Sequence, residues 1–167
     1  MYLIGDLIVY GSTGVCRVKA IGPAPGARAD KEYYTLEPLY QSCVIYAPLE
    51  GGHVPARPVI TRAEAEELVE SIAAAKPAPL PCRDLRQLTA RYESALKLGD
   101  CAELAALSMS IYQKKQEAAL SRRRLSQTDE RFMKQAEGLL FGELAVALGM
   151  TPEEIPDYIA ARVEQNN

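Results

Sequence analysis

Basic side chains gather in the middle of the chain, and their chemistry suits a partner that carries phosphate groups. Residues 83–134 hold eleven basic and seven acidic side chains, whereas the formal charge of the whole chain is −3. Clustered guanidinium and ammonium groups neutralise phosphate oxygens without reading a base sequence. The candidate phosphate contacts are Arg86, Arg91, Lys97, Arg122, Arg123 and Arg124. The alternative is a solvated helical face or, for the run of three arginines, the flank of a loop.

Residues suited to catalysis or metal binding are sparse. His53 is the single histidine, and it stands in a stretch typical of a loop. The chain contains no glycine-rich phosphate loop and no nucleophile elbow. The cysteines form no C-x-x-C pair, so buried small apolar groups are a better interpretation than zinc ligands. We predict a protein that is not an enzyme and that carries no metal or cofactor.

Length and composition indicate how many domains the chain can form and where in the cell it is expected. With 167 residues, 48% apolar and 25% charged, the chain suits one ordinary domain or two small ones. Its start lacks the basic and apolar segments of a secretory leader, and no apolar run approaches the length of a bilayer span. We therefore expect a cytoplasmic protein that does not enter a membrane.

Short strands are predicted from Asp6 to Ile60. The apolar and β-branched runs are Leu7–Tyr10, Val15–Ile21, Tyr33–Leu39 and Cys43–Tyr46, separated by glycine and proline turns. We expect five short strands in about sixty residues. A sheet this small must curl to bury a core, which favours a small β-barrel of SH3 or Tudor type.

Helical signals begin at Thr61. Thr61-x-x-Glu64 is a capping box, and the proline-rich stretch from Lys76 to Pro81 ends the helix that it opens. Further helix starts are predicted at Asp84, Asp100, Ser126 and Thr151, with stops at Gly99 and Gly149. The predicted class is α+β: a β module (1–60), a capped helix and linker (61–82), and a four- or five-helix domain (83–167).

The stretch Gly5–Val18 resembles the start of the polymerase-interacting domain shared by CarD, CdnL and the transcription-repair coupling factor. That domain opens with Gly-Asp, two or three apolar residues, Tyr, usually Pro, two residues and then Gly-Val. Here Gly11 stands where the proline is usual. The pair Tyr33-Tyr34 at the next strand adds to the resemblance.

The second half of the chain resembles CarD and CdnL rather than the coupling factor. Leu96–Asp100 is similar to the family's Leu-Lys-Ser-Gly-Asp helix junction. Leu125–Arg131, continuing to Gly142–Ala145, is similar to its Leu-Ser-x-x-Glu-Arg to Glu-Leu-Ala helix. These motifs occur in the family's order along nearly the whole chain.

The resemblance implies that the β module binds the β subunit of bacterial RNA polymerase by adding a strand edge to a sheet of the polymerase. Val44, Ile45 and Tyr46, bounded by Pro48, are the candidate docking residues, because main-chain groups would supply affinity and alternate side chains specificity. The alternative is that these residues form an ordinary internal strand of the barrel.

The resemblance also implies that the helical domain faces promoter DNA at the upstream edge of the bubble, with a tryptophan wedged into the minor groove. This chain contains no tryptophan. Counting back from Gly99-Asp100 places Leu85 at the wedge position. The alternative is that Leu85 belongs to the helical core with Leu88 and Tyr92.

We therefore predict a monomeric transcription regulator that binds polymerase and modulates open-complex stability through DNA contacts that are not sequence-specific. One alternative is a polymerase-binding module with little or no DNA contact. The missing tryptophan and the negative net charge of the chain favour it. Another is a sequence-specific repressor, because two short helices around Gly99 could imitate a helix-turn-helix.

Overall fold

An antiparallel sheet comes first along the chain, and α-helices follow. The computed structural model describes residues 2–26, 28, 30–74 and 85–165. The strands in this part of the chain are β1 (Leu7–Tyr10), β2 (Gly14–Gly22), β3 (Tyr33–Pro38), β4 (Ile45–Pro48) and β5 (Ala56–Pro58). The helices are α1 (Arg62–Ala74), α2 (Leu85–Leu98), α3 (Cys101–Leu120), α4 (Gln127–Leu148) and α5 (Ile155–Gln165). The predicted α+β class is confirmed.

The five strands form one sheet in the order β4-β3-β2-β1-β5, and every neighbouring pair is antiparallel. Alternate residues of these strands point to one face. Their buried side chains form a small core of Ile8, Cys16, Val18, Tyr34, Leu36 and Ala47. Among the described residues β4 and β5 do not pair with each other, so a closed SH3 or Tudor barrel is not confirmed.

The fourth strand lies two residues later than the sequence pattern predicts. The prediction was Cys43–Tyr46, whereas β4 runs from Ile45, which faces Leu36 of β3, to Pro48, which faces Tyr33. Proline has no backbone N–H, and it is tolerated here because it is the last residue of a strand that pairs on one side. Val44 therefore precedes the strand.

The predicted caps at Thr61, Asp100 and Ser126 are present, whereas Thr151 precedes a short 3₁₀ turn at Pro152–Glu154 and α5 begins at Ile155. Thr61 and Glu64 form the reciprocal capping box, at 3.1 and 3.2 Å. Asp100 and Ser126 accept hydrogen bonds from the first turns of α3 and α4. Gly149 ends α4 with a φ of 72°, a left-handed conformation that favours glycine. The predicted linker at 76–81 and the cap at Asp84 lie outside the described residues.

The helices share a second, larger core. Leu104, Ile111, Phe132, Leu140 and Leu144 lie at its centre, each less than 4% exposed, and Ala65 and Val69 of α1 belong to the same cluster. At one side of it the Tyr92 hydroxyl donates a hydrogen bond of 2.7 Å to Asp129. None of the described helices combines the length and the apolar character needed to cross a membrane.

Candidate functional site

Strand β4 lies at an outer edge of the sheet. It pairs with β3 on one side and with no described strand on the other. Val44 just before it is 54% exposed and Tyr46 is 43% exposed, whereas Ala47 between Tyr46 and Pro48 is buried. The arrangement leaves one row of main-chain groups and two large apolar side chains at the surface, which is what strand addition requires.

A partly buried ion pair joins the sheet to the helices. Glu143 of α4 has a side chain only 2% exposed, and Arg57 of β5 donates two hydrogen bonds of 2.6 Å to its two carboxylate oxygens. The Nη2 atom of Arg57 also donates to the carbonyl oxygen of Gly99, at 2.6 Å. We call Arg57 and Glu143 the clamp. It connects β5, the residue that follows α2 and the last third of α4.

Two more donors complete the surroundings of the Glu143 carboxylate. The backbone N–H of Ile60 donates to Oε2 at 2.9 Å, and the Cys101 thiol donates to Oε1 at 2.8 Å. Burial, and then the Glu143 negative charge, raise the pKa of Cys101, so its thiol stays protonated and can donate. The hydrogen bonds to Glu143 raise the pKa of Arg57 further above its ordinary value. Each carboxylate oxygen thus has two partners.

Glycines allow the sheet and the helices to approach closely beside the clamp. A Cβ atom on Gly99, whose φ is +68°, would lie 3.1 Å from the carbonyl oxygen of Gly11. A Cβ on Gly142 would lie 2.9 Å from the ring of Tyr40, whose hydroxyl donates to the Gly142 carbonyl oxygen at 3.0 Å. We call this contact region, with the clamp, the seam.

A groove of about 650 Å³ lies along the seam. Residues 12–15 and 40–41 of the sheet region line one side of it. From the helices come Lys97 near the end of α2 and Arg131 and Lys134 in the first half of α4, all exposed, with Glu93 as the one acidic side chain among the lining residues. We call it the cationic groove. Its charge suits a phosphate group.

The predicted basic residues are spread over several places. Lys97 lies in the cationic groove, and Arg86 is exposed on α2 with no ion-pair partner among the described residues. Arg91 is 3.7 Å from Glu103, which competes with a phosphate for its guanidinium. Arg122, Arg123 and Arg124 lie exposed in the loop between α3 and α4, and their contact with phosphate stays a prediction. The side chain of Leu85 is outside the described residues.

Sequence reasoning missed several residues of this region. Arg131 and Lys134 are three positions apart on one helix and therefore share a face, so this spacing could have pointed to them. Arg57 and Glu143 are 86 positions apart and carry no local signal of their pairing. The pairing of Arg57 with Glu143 could therefore not be predicted from the sequence pattern.

The comparison with protein families concerns the sheet region. Residues 2–60 match the family model of the CarD-like/TRCF RID domain. This part of the chain is therefore a CarD-like polymerase-interacting domain, as the motif at Gly5–Val18 predicts, and we call it the β module. A search of the curated proteins gives no match. The match ends before α1, so the resemblance of the helical region to CarD and CdnL stays a prediction.

Proposed function

We propose that this protein is a transcription regulator that docks on the β subunit of bacterial RNA polymerase and modulates the stability of the promoter open complex. The observation that carries the proposal is that residues 2–60 match a polymerase-interacting domain family. The proposed role of the whole chain is binding rather than catalysis. Its proposed division is a docking module at 1–60, a helix and linker at 61–82 and a DNA-facing domain at 83–167.

Docking uses the outer edge of β4. The exposed main-chain groups of Ile45–Pro48 extend a sheet of the polymerase, and Val44 and Tyr46 provide apolar contacts on the same side. The edge position of β4 supports this assignment over an internal strand. Because the small core lies on the buried face of the sheet, the edge residues can bind a partner without disturbing it.

The docking assignment is tested with two matched tyrosines. Tyr46 is 43% exposed at the β4 edge, and Tyr112 is 50% exposed on α3. Tyr46→Ala should weaken binding to the isolated polymerase β subunit by about tenfold or more, as central aromatic contacts do, and Tyr112→Ala should leave binding unchanged. Equal binding by both variants would exclude this edge as the docking surface.

DNA contact is assigned to the cationic groove together with Arg86. Lys97, Arg131 and Lys134 have no ion-pair partner in the part of the chain that the structure describes, so their charges are available to phosphate. Contacts of this kind position DNA without reading bases. We expect weak, salt-sensitive binding to free duplex DNA, near the upstream edge of the bubble in the complex.

The test of the whole proposal is promoter opening by purified polymerase with and without the protein. A change in open-complex lifetime is expected, and it should shrink in the Lys97→Ala, Lys134→Ala double variant. The control is the Lys31→Ala, Arg62→Ala double variant, which removes the same charge from exposed positions away from the cationic groove. No change in lifetime with the native protein would contradict the proposal.

The second candidate function is a polymerase-binding module without DNA contact. The absence of tryptophan from the sequence and the negative net charge of the chain favour it. The variants above separate the two functions, since this candidate requires open-complex lifetime to be independent of Lys97 and Lys134. Tight, salt-resistant and sequence-selective binding to free DNA would instead favour a repressor.

Leu85 remains the proposed wedge, and its substitution separates that role from a place in the core. If it wedges a base step, Leu85→Trp should lengthen the open-complex lifetime with unchanged melting temperature. If it packs in the core with Leu88, tryptophan should cost about 1–3 kcal/mol of stability without a longer lifetime. Both quantities should be measured on one preparation.

A further inference from the structure

The Glu143 carboxylate depends on the closed seam. Of the four hydrogen bonds that it accepts, three come from Arg57 and Ile60, which lie in or beside the β module, and the fourth comes from Cys101 at the start of α3. A buried carboxylate without partners is strongly unfavourable. Separation of the β module from α4 would remove three of these bonds at once.

The two hydrophobic cores do not by themselves determine how the β module is oriented on the helices. The core of the sheet and the core of the helices are separate clusters. Between them the seam combines the buried side chains of Val9 and Val15 with close glycine contacts and directional polar bonds, those of Arg57 and the Tyr40 hydroxyl above all. Directional bonds select one arrangement among several of similar apolar area, whereas burial alone does not.

The clamp is connected to both walls of the cationic groove. Arg57 bonds the Gly99 carbonyl oxygen two residues after Lys97, and Glu143 lies on the same helix as Arg131 and Lys134. The opposite wall is the turn at residues 12–15 and Tyr40–Gln41 in the β module. The groove therefore exists only while the β module and the helices keep their relative positions.

We propose that Arg57 and Glu143 are positioning residues that hold the β4 edge and the cationic groove in one geometry, so that polymerase docking determines where the helices meet DNA. This inference rests on the proposed function. The clamp itself touches neither partner. It acts through the positions of Lys97, Arg131 and Lys134 relative to the docked β module.

The orientation is measured first, without polymerase or DNA. Spin labels at the exposed Cys43 and at Leu120→Cys, which replaces an 88% exposed leucine, report the distance between the β module and the far end of α3. Cys82→Ser leaves Cys43 as the native labelling site, because Cys16 and Cys101 are buried. The native clamp should give one narrow distance distribution, and Glu143→Gln a broader one.

Glu66→Gln is the matched control. Glu66 accepts hydrogen bonds from Tyr158 and Arg162 between α1 and α5, so the change also removes a paired carboxylate but leaves the seam intact. It should keep the narrow distribution. Arg57→Lys is the second clamp variant, which retains the charge and loses the two-pronged geometry. It should broaden the distribution even if Glu143→Gln fails to fold.

The functional measurement uses the full chain with polymerase and promoter DNA. Both clamp variants should bind polymerase as the native protein does, yet their effect on open-complex lifetime should fall about fivefold or more, a typical coupling between two sites. Glu66→Gln should keep the native effect. A narrow distance distribution with full effect in both clamp variants would overturn the inference. If the native protein has no effect on lifetime, the proposed function fails, and the distance distributions still decide whether the clamp positions the domains.

Discussion

The seam and the β4 edge differ in where their polar groups find partners. At the seam each oxygen of the Glu143 carboxylate has two donors inside the protein. At the outer side of β4 the main chain faces no described strand, and Val44 and Tyr46 remain exposed. A substitution at the seam should therefore change stability and geometry, whereas one at the edge should change affinity for a partner.

The largest effect is expected from removing the buried carboxylate. Glu143→Ala leaves Arg57, Ile60 and Cys101 without their acceptor, and the free energy of unfolding should fall by about 3–5 kcal/mol. Urea unfolding measures it. Glu67→Ala, at an exposed position on α1, should change stability by less than about 0.5 kcal/mol. Similar losses in both variants would show that the seam is not a special region.

Two glycines of α4 allow a position at the seam to be compared with one on the same helix that has no close contact. A Cβ on Gly142 would lie 2.9 Å from the Tyr40 ring, whereas a Cβ on Gly138 meets nothing within 4 Å. Gly142→Ala should cost about 1–3 kcal/mol by overpacking the seam. Gly138→Ala should stabilise the protein by about 0.5–1 kcal/mol through helix propensity alone. Thermal unfolding of both variants tests this, and equal shifts would argue against close contact at Gly142.

Thiol reactivity also distinguishes the seam from the β4 edge, with a smaller expected effect that is confined to single cysteines. Burial raises the pKa of Cys16 to about 11, and burial with the Glu143 charge raises that of Cys101, so at pH 8 both thiols remain protonated and unreactive. Exposed Cys43 should react first in a Cys82→Ser background. Glu143→Gln should increase the reactivity of Cys101 and leave Cys16 unchanged, as mass spectrometry of the labelled protein would reveal.

The smallest effect is expected at the surface pair of Arg91 and Glu103. Their side chains are 56% and 47% exposed and 3.7 Å apart, so solvent screens the interaction. Arg91→Ala should change the free energy of unfolding by less than about 1 kcal/mol. It should also reduce the protein's effect on open-complex lifetime less than Lys97→Ala does, because Glu103 already shares the Arg91 charge. A larger effect of Arg91 would assign DNA contact to that face of α2 instead.

Interactions within a few residues were readable from the sequence. The capping box at Thr61–Glu64 and the stops at Gly99 and Gly149 were confirmed, because a cap and its partner lie within one helical turn. The motif at Gly5–Val18 predicted the polymerase-interacting domain that the family match supports. Strand boundaries were less accessible: β4 begins at Ile45 because its pairing with Leu36 decides where the ladder starts.

Tertiary structure alone decided the seam and the cationic groove. Arg57 and Glu143 meet across 86 positions, and no local spacing in the sequence connects the two. Lys97 and Lys134 line one groove because α2 and α4 both lie against the β module, where Gly99 and Gly142 permit close approach. Local propensities and caps depend on neighbours along the chain, so they can be predicted from the sequence pattern. The pairing of distant charges depends on how the separate cores are oriented, which only the folded chain determines.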